Sequence, residues 1–151
     1  MKVNPIPTDC PAISPYLTVP DAARLIEFLK QAFGGVEHGI IKRPDGAVMH
    51  AQVRIRDSLV MIGQAPGESK PRSNMLYLYV ADVDATYKQA LAAGGTSMVE
   101  PADMFYGDRH ACVRDMAGNE WWLASRIENL SLEEIQKRAA EFMAKMAKSS
   151  A

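Results

Sequence analysis

Two cysteines, Cys10 and Cys112, are all that this 151-residue chain contains. That excludes a disulfide framework and a paired-cysteine zinc motif. It fits a reduced, cytoplasmic protein. An excess of charge of one sign is also missing, since 17 Lys and Arg stand against 18 Asp and Glu. So small a net charge gives no field to gather nucleic acid or an anionic membrane, and neither is expected as a partner. No apolar run approaches the roughly 20 residues of a membrane helix. The opening stretch MKVNPIPTDCPAIS has no apolar segment after its basic residue, so no secretory signal is expected. What remains has the composition of an ordinary globular domain, 48% hydrophobic and 23% charged, long enough for a substantial core.

The positive signal is a repetition. The chain reads HAQVR from position 50 and HACVR from position 110. AISPYLTV (12–19) reads as a strand by its alternation. A helix follows, with Asp21 as its N-cap, an apolar stripe of Ala22, Leu25, Ile26, Leu29 and Phe33, and Gly34-Gly35 as its stop. Two strands about the Pro44-Asp45-Gly46 turn come next, then the strand SLVMIGQ. The polar stretch 65–74 reads as a linker. The order β-α-β-β-β then recurs, with Asp82 as cap and Gly94-Gly95 as stop. Leu17, Val19 and Asp21 overlay Leu78, Val80 and Asp82; His50, Ala51, Val53 and Arg54 overlay His110, Ala111, Val113 and Arg114. Two long units in register imply a duplicated module rather than a solenoid.

The expected architecture is therefore α+β. Tandem βαβββ modules (about 12–64 and 74–125) make up a domain over 1–128. An amphipathic C-terminal helix follows in 129–151. Ser131 and Glu134 match a capping box for it, and Leu132, Ile135, Ala139, Phe142, Met143 and Met146 make its stripe. That stripe suits packing on its own domain or on a partner subunit, with a membrane surface as a third reading.

A tandem module opened by YLTVPDA and closed by VRDMAGNEWWLAS resembles the vicinal oxygen chelate superfamily. That group includes glyoxalase I, extradiol dioxygenases, and fosfomycin- and bleomycin-resistance proteins. The closing segment resembles the group's Asp-Pro-x-Gly-Asn strand ending, with Met116 in place of proline. RPDGAVMHAQVRIRDSLVMIG and YGDRHACVRDMAGNEWWLAS resemble the PhnB-like, glyoxalase-like branch most. The resemblance implies two half-barrels facing one cavity, and a homodimer that sometimes exchanges modules. Metal-dependent relatives place four His or Glu ligands at positions that fall here on Ser14, Met61, Met75 and Trp122. Hard and borderline divalent ions take imidazole nitrogen and carboxylate oxygen, so no metal or other cofactor is expected.

Strand alternation assigns the face these four positions share. It holds Tyr16, Thr18, His50, Gln52, Arg54, Leu59 and Met61 in the first module. In the second it holds Met75, Tyr77, Tyr79, His110, Cys112, Arg114, Glu120 and Trp122. The opposite faces are uniformly apolar and should pack on the helices. Rings with a few polar groups suit a ligand pocket; solvated rim residues or an Arg–Glu120 pair are the plainer reading. Tyr106, Asp108 and Arg109 form an entrance loop, or a simple turn in which Asp108 pairs with Arg109.

Two functions follow. The first is a metal-independent protein that binds a small aromatic or anionic molecule through these side chains, Arg109 and Tyr106 included. The alternative is a glyoxalase-like lyase or isomerase with His50 or Glu120 as general acid/base, and Glu120 or Arg54 as the partner of His50. Cys112, between His110 and Arg114 on the same face, also has a nucleophilic reading through a lowered thiol pKa, but no triad completes it.

Overall fold

The computed structural model describes residues 5, 7–65 and 70–149. Residues 66–69 of the expected linker therefore lie outside the described residues. The first module runs β1 (Tyr16–Val19), α1 (Ala22–Phe33), β2 (Val36–Lys42), β3 (Val48–Ile55) and β4 (Ser58–Gln64). The second runs β5 (Met75–Tyr79), α2 (Val83–Ala92), β6 (Thr96–Asp103), β7 (Asp108–Arg114) and β8 (Glu120–Arg126). Helix α3 spans Leu132–Ser149. The entrance loop is shorter than the sequence suggests, because β6 extends to Asp103 and β7 already begins at Asp108.

Each module makes one four-stranded sheet, ordered β1-β4-β3-β2 and β5-β8-β7-β6. The first strand of each runs parallel to the last, and the other pairings are antiparallel. The repeat holds at the level of register. Ile62 lies opposite both Leu17 and Ala51, and Leu123 lies opposite both Leu78 and Ala111. The two sheets stay separate rather than closing into one barrel.

The helices start and stop where their chemistry dictates. Asp21 accepts a hydrogen bond from the Arg24 N–H at 3.0 Å, and Asp82 one from the Ala85 N–H at 3.0 Å. Each cap satisfies one of the orphan donors of a first turn. The second glycine of each stop serves close packing. A Cβ at Gly35 would lie 2.8 Å from Val53 Cγ1, and one at Gly95 would lie 2.4 Å from Val113 Cγ1. Both helix ends are thus pressed on the strand that carries the repeated motif.

The two helices pack on each other and on the apolar face of their own sheets. One core results, in which Leu17, Val53, Ile62, Val113, Trp121 and Leu123 meet Leu25, Phe28, Leu29 and Val83. Burying each large apolar side chain contributes roughly 1.5–3 kcal/mol. Phe28 and Ala32 are buried outside the predicted stripe, because α1 must cover both a sheet and α2. Helix α3 is different. None of its residues is buried, and no described helix or strand packs closely against it.

Candidate functional site

The face of each sheet turned from the helices is the open one. It carries the side chains that alternation assigns to it. Tyr16, Met75, Tyr77 and Tyr79 are exposed there, whereas their strand neighbours Leu17 and Val19 are fully buried. Gln52 lies opposite Met61, and Trp122 lies between Tyr77 and Cys112. Leu59 is buried too, yet apart from the helix-packed core. It lines a cleft of about 420 Å³ with Pro11, Ile13, Met75 and Tyr77.

On the second module these residues form a tight polar and aromatic cluster. The Tyr106 hydroxyl lies 2.7 Å from His110 Nδ1, and the His110 ring meets the Trp122 ring edge-on at 5.2 Å. The Tyr79 hydroxyl donates to Asp108 Oδ2 at 2.8 Å, and Arg126 Nε donates to Asp108 Oδ1. Asp108 is only 2% exposed, so its charge needs such a partner. Burial pushes the His110 pKa below the ordinary histidine value, and the Asp108 charge opposes this only in part. The imidazole is therefore held neutral. Burial likewise raises the Tyr77 and Tyr106 hydroxyl pKa values, so both rings stay uncharged donors. Trp122 Nε1 is buried and, among the described residues, has no hydrogen-bond partner.

The open face of the first module is looser. His50 stacks on Tyr16 with ring centroids 5.7 Å apart. Its nitrogens reach the Tyr16 hydroxyl at 3.4 Å and the Gln52 amide at 3.5 Å, the outer limit of hydrogen bonding. Arg54 donates to the Asp9 backbone carbonyl at 2.6 Å. A Cβ at Gly63 would sit 2.5 Å from the Tyr16 hydroxyl, so the glycine is what lets that ring lie across β4. A hollow of about 360 Å³ beside it is lined by Tyr16, Thr18, Arg43, Met49, Gly63 and Gln64.

Several candidates sit differently from their sequence reading. Arg109 is not on the open face. It pairs with Asp84 of α2 and, at 2.8 Å, with Asp103, so it ties β7 to the helix side. It does not pair with Asp108, whose partner is Arg126. Cys112 is fully buried, and burial pushes its thiol pKa up to about 11, opposite to the shift a nucleophile needs. Glu120 accepts from Arg114 at 2.8 Å. Among the described residues, no hydrogen bond, ion pair or ring contact joins Glu120 to His50, or His50 to His110. Asp108 and Arg126 are the members of the cluster that sequence reasoning left outside the face. They have the parity of His110 and Trp122, so alternation carried two residues back from His110 and four on from Trp122 would have found them.

The turn between β7 and β8 is a buried knot. Asp115 accepts from the Ala117 and Asn119 N–H groups, from the Asn119 amide, and from the Trp121 indole at 2.9 Å. Asn119 Oδ1 in turn accepts from the Asn74 N–H at 3.0 Å, which pins the start of β5. The turn within the segment that carried the resemblance thus anchors the second sheet, while Trp122 beyond it stands on the open face.

Residues 12–123 match the family model described as the Glyoxalase/Bleomycin resistance protein/Dioxygenase superfamily. The chain belongs to that superfamily. It is 36% identical over 137 residues to an uncharacterized protein of Mycobacterium tuberculosis, a match covering 83% of this chain and 81% of the relative. The same identity holds to an uncharacterized protein of Mycobacterium bovis, over 83% and 90% of the two chains. Among solved structures it is similar to TioX from Micromonospora sp. ML1, at TM-score 0.64 and 22% identity over 76% of this chain and 97% of that one. It is also similar to a PhnB protein from Bacillus cereus, described as a putative 3-demethylubiquinone-9 3-methyltransferase, at TM-score 0.64 and 16% identity over 76% and 99%. Both structural likenesses speak to the fold.

The superfamily's metal ligands would fall on Ser14, Met61, Met75 and Trp122, and these do not fit a divalent ion. Two thioethers are too soft, and an indole N–H offers hydrogen rather than a lone pair. The Ser14 hydroxyl is buried without a partner, but it is one neutral oxygen. Among the described residues, no three His, Cys, Asp or Glu side chains gather as a metal site requires.

Proposed function

We propose that this superfamily member is a small-molecule binding protein that works without the superfamily's metal. Its ligand rests on the open face of the second module. One observation carries the reading: half-exposed Tyr77 and Tyr79 adjoin Tyr106, His110 and Trp122, whose buried indole N–H lacks an acceptor. A buried donor without a partner costs about 1–3 kcal/mol, which an acceptor on a ligand recovers. Flat rings beside a few placed polar groups are what ligand sites commonly offer. The similarity to the PhnB protein supports the finer placement in that branch. A homodimer belongs to the same reading, since Val36 and Ile41 of β2 leave apolar surface in water.

The test is a thermal-shift and calorimetric screen of the full chain against aromatic small molecules and, separately, divalent ions. A ligand that raises the melting temperature and is recovered unchanged is the expected result. Stoichiometric nickel or zinc in the purified protein overturns the metal-free reading. Recovery of a converted ligand, with conversion lost in His50→Ala or Glu120→Gln, replaces binding by lyase or isomerase chemistry.

A further inference from the structure

We infer that α3, which follows the span matched by the family model, is the outer wall of the second module's site. The site it completes takes a flat, uncharged ligand that carries a hydrogen-bond acceptor. The inference rests on the binding reading above and deepens it.

The first observation is a continuous line of rings. Phe142 of α3 meets Phe105 at 5.1 Å, and Phe105 meets Tyr106 edge-on at 5.2 Å. Tyr106 reaches His110, and His110 reaches Trp122. The helix thus joins the cluster at its rim. It does not join for the sake of core packing, because no residue of α3 is buried and Leu132 and Met143 remain 84% and 68% exposed. Polar contacts hold it in place instead. Arg138 gives two parallel hydrogen bonds of 3.0 Å to the carboxylate of Glu128, ahead of the helix, and a third of 3.0 Å within the helix to Glu134 orients the guanidinium. Planar pairing of this kind fixes geometry as well as energy.

A second lock lies beneath it. The Gly107 carbonyl accepts from the Ile127 and Glu128 N–H groups, both at 3.0 Å. Residue 107 has φ +86°, and a Cβ there would lie 2.9 Å from the Glu128 carbonyl. Glycine therefore lets the turn bearing Phe105 and Tyr106 clamp on the segment that leads into α3. Turn, segment and helix hold Phe142 against the aromatic line.

The charges of the face decide the ligand class. Asp108 is neutralised by Arg126 and Glu120 by Arg114, and His110 is held uncharged. No charge on β7 or β8 is left over to recognise an anion or a cation. The unmet group is the Trp122 N–H, which calls for an acceptor such as a carbonyl. Tyr77 is its half-exposed cross-strand neighbour.

The experiment measures binding of three probes to the full chain by calorimetry or fluorescence. They are 1-naphthamide (flat, uncharged, with an acceptor), 1-naphthoate (anionic) and naphthalene (no acceptor). Naphthamide is expected to bind roughly tenfold more tightly than either of the others, the value of one charge-free hydrogen bond in a buried site. Phe142→Ala should weaken it by up to roughly tenfold, the scale of an aromatic pair, with the melting temperature unchanged. Trp122→Phe should erase its advantage over naphthalene, and Arg138→Gln, which loosens the anchor, should weaken all three. Equal or tighter binding of naphthoate overturns the ligand class. Unchanged affinity in Phe142→Ala overturns the wall, as does a shift in oligomeric state alone, which would mean that a second copy covers α3. Failure of all three probes to bind removes the binding reading itself and this inference with it.

Discussion

The two modules come from one repeated pattern, yet their open faces have been built to different standards. His50 lies 3.4 Å from a tyrosine hydroxyl of its own sheet, and His110 lies 2.7 Å from Tyr106. The first module has no buried carboxylate on its open face, whereas the second holds Asp108 between Arg126 and Tyr79. The turn after each repeated motif differs as well. The first passes through exposed Asp57, with Arg56 at φ 54°; the second closes on buried Asp115. Duplication supplies matched positions, and only the surroundings decide which of them become ordered. In the second module those surroundings include a long turn and a following helix that the first module lacks.

This contrast predicts unequal responses to equal changes. The largest should come at the turns. Asp115→Ala strands the Trp121 indole and Asn119 donors in the core and should cost about 3 kcal/mol in urea unfolding. Asp57→Ala, at an exposed turn, should stay within about 0.5 kcal/mol. Similar losses from the two would break the comparison.

Smaller effects should appear at the tyrosines. Tyr106→Phe removes a short, partly buried hydrogen bond to His110 and should cost about 1 kcal/mol. Tyr16→Phe removes a contact at the limit of hydrogen bonding and should cost less than about 0.5 kcal/mol.

The smallest is a pH effect. His110 has a depressed pKa in the folded state, so the unfolded state binds its proton first as pH falls. Its neutral form supports the fold fully above the ordinary histidine pKa. That support declines as pH drops through the ordinary value toward the lowered one. The difference in melting temperature between the parent and His110→Gln should therefore narrow from pH 7.5 to pH 5.5. A difference that widens over that range would contradict the neutral imidazole on which the second face is built.

Much of the fold was legible because its signals are local. Alternation separated Leu17 and Val19 from Tyr16 and Thr18, and the caps at Asp21 and Asp82 marked both helices. The open face was legible for the same reason, down to Trp122 beside Tyr77. Pairing was not legible. Arg109 looked like a ligand contact by position, but its parity turns it toward Asp84, 25 residues away. Cys112 looked activated by the charges beside it in sequence, but complete burial outweighs them.

By itself, the sequence determined the duplicated modules and their apolar and open faces. These follow from residue type and from periods of 2 and 3.6, which need no knowledge of distant neighbours. Only the tertiary structure decided that Asp108 meets Arg126, that Trp122 keeps an unmet N–H, and that Phe142 completes the line of rings. Those outcomes depend on register and on side chains that approach through space. A hydrogen bond or a ring contact is made within a few ångströms, wherever along the chain its partner lies.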